Sequence, residues 1–293
     1  MNLNYDYPLF RPPAEANNII LQITLGCSYN ACSFCSMYKD KKYKVQDINS
    51  IYEDINMLST SYPNATKIFL ADGDALAVES EFLLLILRYL NKKFLKLRRV
   101  SLYASAQNIL SKSDKELNLL YENNLKLIYF GIESGNDTVL KKITKGVTQS
   151  EIITSLNIAS KAKIKISATV ILGIGGKAYS YDHIKDTAYI VNNTTINYLS
   201  TLQLGLEDDV VDKFHSHFKD YIALDDFEIL DEQKRFIELL NPTNKVIFRS
   251  NHASNALHLS GTLPKDKNRL LEELNIAHSI GENALIPPLN RGF

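Results

Sequence analysis

The hydrophobic residues of this chain gather in six short runs that are rich in β-branched and aromatic side chains. These runs occupy residues 19–25, 67–71, 100–104, 127–132, 166–172 and 198–204. Most of them are continuously apolar and do not alternate with polar residues, which is typical of parallel strands buried on both faces. The pattern therefore predicts six strands of a parallel sheet.

A helical pattern fills each interval between successive runs. The predicted helices cover residues 48–58, 79–94, 114–123, 149–161 and 182–192. Asp, Ser or Thr stands near several of their starts, where such side chains cap free N–H groups. Six β/α repeats favour an α/β fold of the partial (β/α)6 TIM-like barrel type, although an open doubly wound sheet would have the same strand count.

The pattern changes after the sixth run, which predicts a division of the chain into two segments. Residues 1–205 would form the partial barrel, with its core at 18–204. Residues 206–293 would form a helical and irregular C-terminal extension that caps the barrel mouth.

Composition and charge exclude several classes of protein. Hydrophobic residues make up 45% of the chain and charged residues 23%, which is typical of a globular protein and not of a disordered or collagenous one. The 33 basic residues balance the 33 acidic ones, so the net charge disfavours nucleic acid and membranes as partners. No signal peptide is visible at the N-terminus, and we expect a cytoplasmic location.

Cys27, Cys32 and Cys35 are the only cysteines of the chain and lie within nine residues. An odd number disfavours a disulfide framework, and the Gly, Ser and Asn residues around them indicate a loop instead of a packed core. Structural zinc usually has four protein ligands, and no histidine stands nearby. A four-iron cluster held by three thiolates would leave one iron open to a small molecule.

The segment from Gly26 to Tyr38 follows the first predicted strand and resembles the cluster loop of the radical S-adenosylmethionine (radical SAM) superfamily. The likeness includes Phe34, the aromatic residue before the third cysteine. The segment departs from the usual motif because four residues, instead of three, separate Cys27 from Cys32. The strand-four segment, residues 129–140, is similar to the branch that contains the methylthiotransferase and Elongator-type catalytic cores. The C-terminal segment is similar to a small, uncharacterised group of radical SAM proteins.

The resemblance implies one 4Fe–4S cluster on Cys27, Cys32 and Cys35, with S-adenosylmethionine as the second cofactor. In this superfamily, reductive cleavage of S-adenosylmethionine gives a 5′-deoxyadenosyl radical that abstracts hydrogen from the substrate. A small-molecule substrate and an external one-electron reductant, a flavodoxin or ferredoxin-like protein, are implied as partners. The residues implied in S-adenosylmethionine binding stand at the predicted strand ends or in the cysteine loop: Phe34, Tyr38, Asp72, Gly73, Asp74, Ser105, Glu133, Ser134, Gly173 and Ile174.

A polar segment at residues 248–258 is the densest cluster of polar side chains outside these loops. One interpretation is a substrate lid, in which Arg249 pairs with a carboxylate or phosphate, His252 acts as acid or base, and Asn251 adds a polar contact. The other interpretation is a loop that leads to a helix near Leu263.

Two further hypotheses stay open. A non-catalytic iron–sulfur or metal-binding scaffold or sensor protein would need the cysteines but not the polar strand ends. Radical SAM modification of RNA would need a local basic patch, for which residues 39–44 are the candidate. With three cysteines, these 293 residues cannot hold an auxiliary cluster by thiolate ligation, which disfavours a methylthiotransferase-like sulfur donor.

Overall fold

The computed structural model describes residues 3–292, so the chain ends of the two predicted segments (residues 1, 2 and 293) lie outside it. The strands are β1 (Ile19–Gln22), β2 (Thr24–Leu25), β3 (Lys44–Val45), β4 (Lys67–Ala71), β5 (Arg99–Ala104), β6 (Leu125–Glu133), β7 (Lys165–Leu172), β8 (Tyr198–Gln203), β9 (Val246–Ser250) and β10 (Leu259–Leu263). The α-helices are α1 (Ile48–Ser61), α2 (Ser80–Lys93), α3 (Ala106–Leu110), α4 (Asp114–Glu122), α5 (Asp137–Lys142), α6 (Gln149–Lys161), α7 (Gly176–Asn192), α8 (Asp208–His217), α9 (Asp226–Leu239) and α10 (Lys267–Ile280). None of the helices within these residues combines the length and the apolar character needed to cross a membrane.

The described chain divides into two compact units. The first unit comprises the chain up to residue 30 and residues 37–130 and 158–166. It contains β1, β4, β5 and most of β6, which neighbour one another in that order and run parallel. The second unit comprises residues 31–36 and 131–157 and the chain from 167 onwards. In it β7, β8 and β9 are parallel neighbours, while β10 pairs antiparallel with β9.

The predicted parallel strands are confirmed, together with the reason for their apolar runs. In β4, every residue from Ile68 to Ala71 is fully buried, so neither face of the strand is exposed to solvent. In β7, the face that carries Ile166, Ala168, Val170 and Leu172 is buried, while Thr169 and Ile171 on the other face are half-buried. Where both faces are buried, as in β4, no positions are left for alternating polar residues.

Apart from shifts of one to three residues at the ends of other elements, two predicted elements differ from the structure. The run at 19–25 is divided, because β1 ends at Gln22 and β2 pairs antiparallel with β3 in a separate two-stranded sheet. Its apolar run continues through this division, so hydropathy could not locate it. The fifth predicted helix corresponds to α7, which begins at Gly176 instead of residue 182. A Gly-Gly pair usually indicates a turn, but in this structure it stands at the start of the helix.

The C-terminal extension contains the expected helices α8, α9 and α10, but it also adds β9 and β10 to the sheet. The description of this segment as helical and irregular was therefore incomplete. The apolar run of β9 comprises only Val246, Ile247 and Phe248, which is too short to be distinguished from a loop. The boundary at residues 205 and 206 stays a prediction.

Candidate functional site

The turn after β4 holds both peptide neighbours of Cys27. The Asp72 carboxylate accepts a hydrogen bond from the Gly26 N–H at 3.2 Å. The Asp74 carboxylate accepts one from the Ser28 N–H at 2.8 Å and another from the Ser28 hydroxyl. The backbone on each side of Cys27 is therefore fixed by a buried carboxylate.

Gly73, between the two carboxylates, lies directly against Cys27. A Cβ atom at position 73 would come within 2.8 Å of both the Cys27 Cβ and the Gly26 carbonyl oxygen. Any side chain would push the turn away from the cysteine. Only glycine allows this close approach.

Burial opposes the negative charge of this turn. It raises the pKa of Asp72, although the Lys41 ammonium, 3.5 Å away, acts in the opposite direction. It also raises the pKa of Asp74, against the hydrogen bonds that Ser28 and Asn108 donate. The donors around each carboxylate therefore favour its ionised form against the effect of burial.

Ser105 and Tyr38, two further predicted site residues, lie in the same unit and support this turn. Ser105 caps α3 by accepting a hydrogen bond from the Asn108 N–H at 3.2 Å, and the Asn108 side chain donates to Asp74 at 3.4 Å. Tyr38 is buried, and its side chain opposes the rise in the pKa of Asp72 that burial causes.

In the second unit, Lys145 forms an ion pair with Glu133 at the end of β6. The Lys145 Nζ lies 3.0 Å from the Glu133 Oε1, and both side chains are largely buried. Burial alone would lower the pKa of Lys145, but the charges of Glu133, Cys32 and Cys35 raise it above its usual value. A buried ammonium thus acts on two of the three cysteines.

The backbone around Glu133 is shaped for this ion pair. A Cβ atom at Gly131 would lie 1.9 Å from the Glu133 Oε1 and 3.0 Å from the Lys145 Nζ, so glycine makes room for both charges. Glu133 itself has a φ of +58°, a left-handed conformation that is uncommon for residues other than glycine. Such strained conformations occur preferentially at functional sites.

The segment that carries Cys32 and Cys35 is anchored to the loop after α5. The Ser33 N–H donates to the Ile143 carbonyl at 3.0 Å, and the Thr144 hydroxyl donates to the Ala31 carbonyl at 2.7 Å. Phe34 packs against a buried apolar cluster, which consists of Val139, Ile143, Ile174, Phe214 and Phe218. Phe34 and Ile174, both predicted cofactor contacts, therefore belong to one apolar region.

Ser134 and Gly173, at the ends of β6 and β7, are joined to buried polar groups. The Ser134 Oγ lies 2.8 Å from the His183 Nδ1. The Gly173 N–H donates to the Glu232 carboxylate at 2.6 Å. The two predicted strand-end residues are thus held by α7 and by α9, respectively.

The predicted substrate residues lie in and after β9. The Arg249 side chain is exposed, and its guanidinium donates to two main-chain carbonyls of its own hairpin. The His252 Nδ1 lies 2.9 Å from the Ser254 Oγ, and Asn251 is exposed. Within residues 3–292, no hydrogen bond or ion pair joins Arg249 or His252 to Lys145.

The three cysteine thiols suit one kind of metal group better than another. Among residues 3–292, no three His, Cys, Asp or Glu side chains form a group that could hold a single metal ion. A four-iron cube makes a different demand, because its thiolates bind different irons. Three half-buried thiols on one short segment, with a buried ammonium acting on two of them, fit such a cube.

Four residues that contact the predicted site residues were not predicted from the sequence: Ser28, Asn108, Lys145 and Glu232. Glu232 had a usable signal, because it occupies a position between Ile229 and Phe236 on the apolar face of α9, where a carboxylate is unexpected. Lys145 follows the strand-four segment closely, but nothing in the sequence pairs it with Glu133. Long-range hydrogen bonds such as that from Asn108 to Asp74 have no local signal.

Comparison with known sequences identifies the family. The profile of the radical SAM superfamily matches residues 21–188. The Methanocaldococcus jannaschii protein MJ0865, provisionally named a methylthiotransferase, is 24% identical over 187 residues, which are 58% of this chain and 40% of that protein. The Pyrococcus horikoshii protein PH0819, named an uncharacterized methyltransferase, is 23% identical over 164 residues, 53% of this chain and 32% of that protein. The matched regions thus span less than half the length of these relatives.

Solved structures share the fold. The coproporphyrinogen III oxidase of Escherichia coli, a radical SAM enzyme, matches with a TM-score of 0.56 and 12% identity over 75% of this chain and 52% of that one. Methylornithine synthase matches with a TM-score of 0.53 and 12% identity over 76% of this chain and 62% of that one. The predicted fold class, an α/β protein of the partial TIM-like barrel type, is confirmed.

The profile match covers more than half of the chain, and its limits include the cysteine loop, the Asp72–Gly73–Asp74 turn, and the Glu133–Lys145 ion pair. The family that the cysteine loop indicated is thereby confirmed. This chain belongs to the radical SAM superfamily.

Proposed function

We propose that this protein is a radical SAM enzyme that uses a single 4Fe–4S cluster to cleave S-adenosylmethionine reductively and to abstract hydrogen from a small organic substrate. The observation that carries the proposal is how the cysteine loop is held. Buried carboxylates fix the backbone on both sides of Cys27, and the buried Lys145 acts on Cys32 and Cys35. Side chains that fix the cysteine backbone and act on the thiol charges support a catalytic centre more than a simple iron scaffold.

The cluster and S-adenosylmethionine, when bound, supply the electron transfer and the 5′-deoxyadenosyl radical. Cys27, Cys32 and Cys35 are the proposed cluster ligands. We propose that the electron for this cleavage comes from an external flavodoxin or ferredoxin-like protein. The positive charge of Lys145 favours thiolates at Cys32 and Cys35, which are the form that binds iron.

The proposed contacts of S-adenosylmethionine lie at the strand ends and beside the cysteines. Polar contacts are assigned to Asp72, Gly73, Asp74, Ser105, Glu133 and Ser134, and apolar or stacking contacts to Phe34, Tyr38, Gly173 and Ile174. The burial of Ile174 in the cluster that Phe34 contacts supports an apolar pocket wall. Because Asp72 and Asp74 already bind the cysteine loop, their proposed contribution includes holding Cys27 in place.

Arg249, Asn251 and His252 are proposed as substrate contacts. Within residues 3–292, Arg249 forms no ion pair, so its charge is available to a carboxylate or phosphate. Their place on a hairpin outside the matched family region supports a role that is particular to this protein.

Anaerobic reconstitution with iron and sulfide tests the proposal. We expect about four irons per chain, an electron paramagnetic resonance signal after reduction, and release of 5′-deoxyadenosine from S-adenosylmethionine. Alanine variants of Cys27, Cys32 and Cys35 should each lose the full cluster. A protein that holds the cluster but releases no 5′-deoxyadenosine, with or without cell extract, would be a scaffold and not an enzyme.

A further inference from the structure

The peptide groups of Gly173 are held from two sides by residues of the C-terminal extension. The Gly173 N–H donates to the Glu232 Oε1 at 2.6 Å, and the Tyr221 hydroxyl donates to the Gly173 carbonyl at 3.0 Å. The Ile229 Cδ1 lies 2.8 Å from where a Gly173 Cβ would be, and Gly173 has a φ of +79°. Tyr221, Ile229 and Glu232 all stand beyond residue 188, where the family match ends.

Glu232 also connects Gly173 to the end of β6. Its side chain is fully buried, and the Glu232 Oε2 accepts a hydrogen bond from the Ser180 hydroxyl. The Glu232 Oε1 lies 4.0 Å from the His183 Nε2, while the His183 Nδ1 lies 2.8 Å from the Ser134 Oγ. A line of buried polar groups therefore runs from Ser134 through His183 and Glu232 to Gly173.

Within residues 3–292, Glu232 forms no ion pair with a lysine or an arginine, and its nearest basic side chain in an ion-pair contact is His183. Burial raises the pKa of Glu232 to about 7, although hydrogen bonds from Ser180 and Gly173 and the charge of Arg235 lower it. Burial also lowers the pKa of His183 to about 4, so this neighbour is neutral near pH 7.

The other elements around α9 direct their charges elsewhere. From α10, His278 pairs with Asp231, and the Lys267 ammonium donates to main-chain carbonyls of α9 and the residue after it. The groups that face Glu232 are therefore Ser180 and His183 from α7, Gly173 from the turn after β7, Tyr221 from the loop before α9, and Arg235 from α9 itself.

We propose that Glu232 is a positioning residue: its ionised carboxylate holds the Gly173–Ile174 turn in the shape that receives S-adenosylmethionine, and its protonation loosens that turn. The proposal rests on the proposed function, because it takes this turn as part of the cofactor site. A charge-assisted hydrogen bond is roughly twice as strong as a neutral one. S-adenosylmethionine should therefore bind about fivefold more weakly when Glu232 is protonated.

Amide hydrogen exchange on the protein without cofactors tests the positioning step. In the wild type, the Gly173 amide should be better protected at about pH 8 than at about pH 6, after correction for the intrinsic exchange rate. Glu232→Gln should remove this pH dependence, because its amide carbonyl still accepts the Gly173 N–H but does not titrate. Glu15→Gln, a change at another fully buried glutamate whose partners are Arg99, Ser101 and Tyr129, should leave the pH dependence of the Gly173 amide unchanged.

Calorimetric titration of the reconstituted protein with S-adenosylmethionine tests the consequence for binding. From about pH 8 to about pH 6, the wild-type affinity should fall about fivefold, whereas that of Glu232→Gln should stay within about twofold. An equal pH dependence in both proteins would overturn the proposal. If the exchange result holds but S-adenosylmethionine binds at neither pH, Glu232 positions Gly173 as inferred and it is the proposed function that fails.

Discussion

Every residue of the Asp72–Gly73–Asp74 turn contacts Cys27 or one of its two neighbours in the chain. Two carboxylates bind the adjacent peptide groups, and Gly73 leaves no space between the turn and the cysteine. Position 74 therefore offers a single-residue test of how the cysteine loop is held.

Asp74→Ala should loosen the loop at Ser28, because a hydrogen bond to a charged group contributes about 1.5–3 kcal/mol. We expect the reconstituted cluster to lose iron to a chelator at least about tenfold faster than the wild type, which corresponds to about 1.4 kcal/mol. Asp54→Ala is the matched control, since Asp54 is also buried but accepts its hydrogen bonds from Asn4. Wild-type iron retention combined with weaker S-adenosylmethionine binding would instead mean that Asp74 contacts the cofactor and does not secure the loop.

Lys145→Met should slow the reaction of Cys32 and Cys35 with iodoacetamide at neutral pH, because the nearby ammonium stabilises the reactive thiolates. Mass spectrometry of the protein without cofactors can measure each cysteine separately. Lys112→Met is a suitable control, since Lys112 is half-buried and donates to the Val78 carbonyl and the Ser80 hydroxyl. Unchanged rates at Cys32 and Cys35 would show that Lys145 does not control these thiols.

Among the secondary-structure elements, the β9–β10 hairpin pairs with β8 through β9, and the buried side chain of Asn255 adds a second connection to β8. The Asn255 amide donates to the Thr201 carbonyl and the Ser250 hydroxyl, each at 2.8 Å, and its carbonyl accepts from the Gln203 N–H at 2.7 Å. Part of the polar segment at residues 248–258 is therefore structural.

Asn255→Ala should lower the free energy of unfolding by about 2–4 kcal/mol, because it leaves several buried polar groups without partners. Urea denaturation measures the change. Asn251→Ala, at an exposed position of the same segment, should change the stability by less than about 0.5 kcal/mol. Equal effects of the two substitutions would contradict the assigned role of Asn255.

Arg249→Ala and His252→Ala should leave the iron content and the affinity for S-adenosylmethionine near those of the wild type. Release of 5′-deoxyadenosine stimulated by cell extract should fall, because loss of an oriented charged contact misplaces the substrate relative to the radical. The unstimulated release should continue. A lower melting temperature with full stimulation per folded molecule would assign both residues to the stability of the hairpin.

For the molecule as a whole, the free energy of unfolding depends on pH through two buried residues, Glu232 and His183, and their effects have opposite signs. The pKa of Glu232 is raised from 4.5 to about 7, so its protonated form is favoured by folding, and this stabilisation is lost as the pH rises between these values. The pKa of His183 is lowered from 6.5 to about 4, so its neutral form is favoured, and that stabilisation is lost as the pH falls between those values.

Glu232→Gln removes the first dependence and leaves the second. Between about pH 4.5 and about pH 7, the difference in unfolding free energy between Glu232→Gln and the wild type should therefore shift in favour of the variant by about 1.4 kcal/mol per pH unit as the pH rises. Urea denaturation at several pH values measures this slope. A difference that does not vary with pH would mean that Glu232 has the same pKa in the folded and unfolded chains.

The parallel strands, most helix positions and the cysteine loop could be predicted from the sequence, because each depends on residues that are close together in the chain. Buried parallel strands need continuous apolar runs, and capped helices need Asp or Ser at their starts, as Asp47 and Ser113 provide. The three cysteines were recognisable for the same reason, since their spacing is local. These features sufficed to identify the superfamily.

The contacts between polar groups, in contrast, depend on how distant parts of the chain pack together. Asp74 and Ser28 are 46 positions apart, and Glu232 and Gly173 are 59 apart, so no local pattern could pair them. The same holds for β9, whose short apolar run becomes a strand only because β8 and β10 offer it hydrogen-bonding partners. Burial, which raises the pKa values of Asp74 and Glu232, is likewise produced by packing between distant segments and is not encoded at any single position.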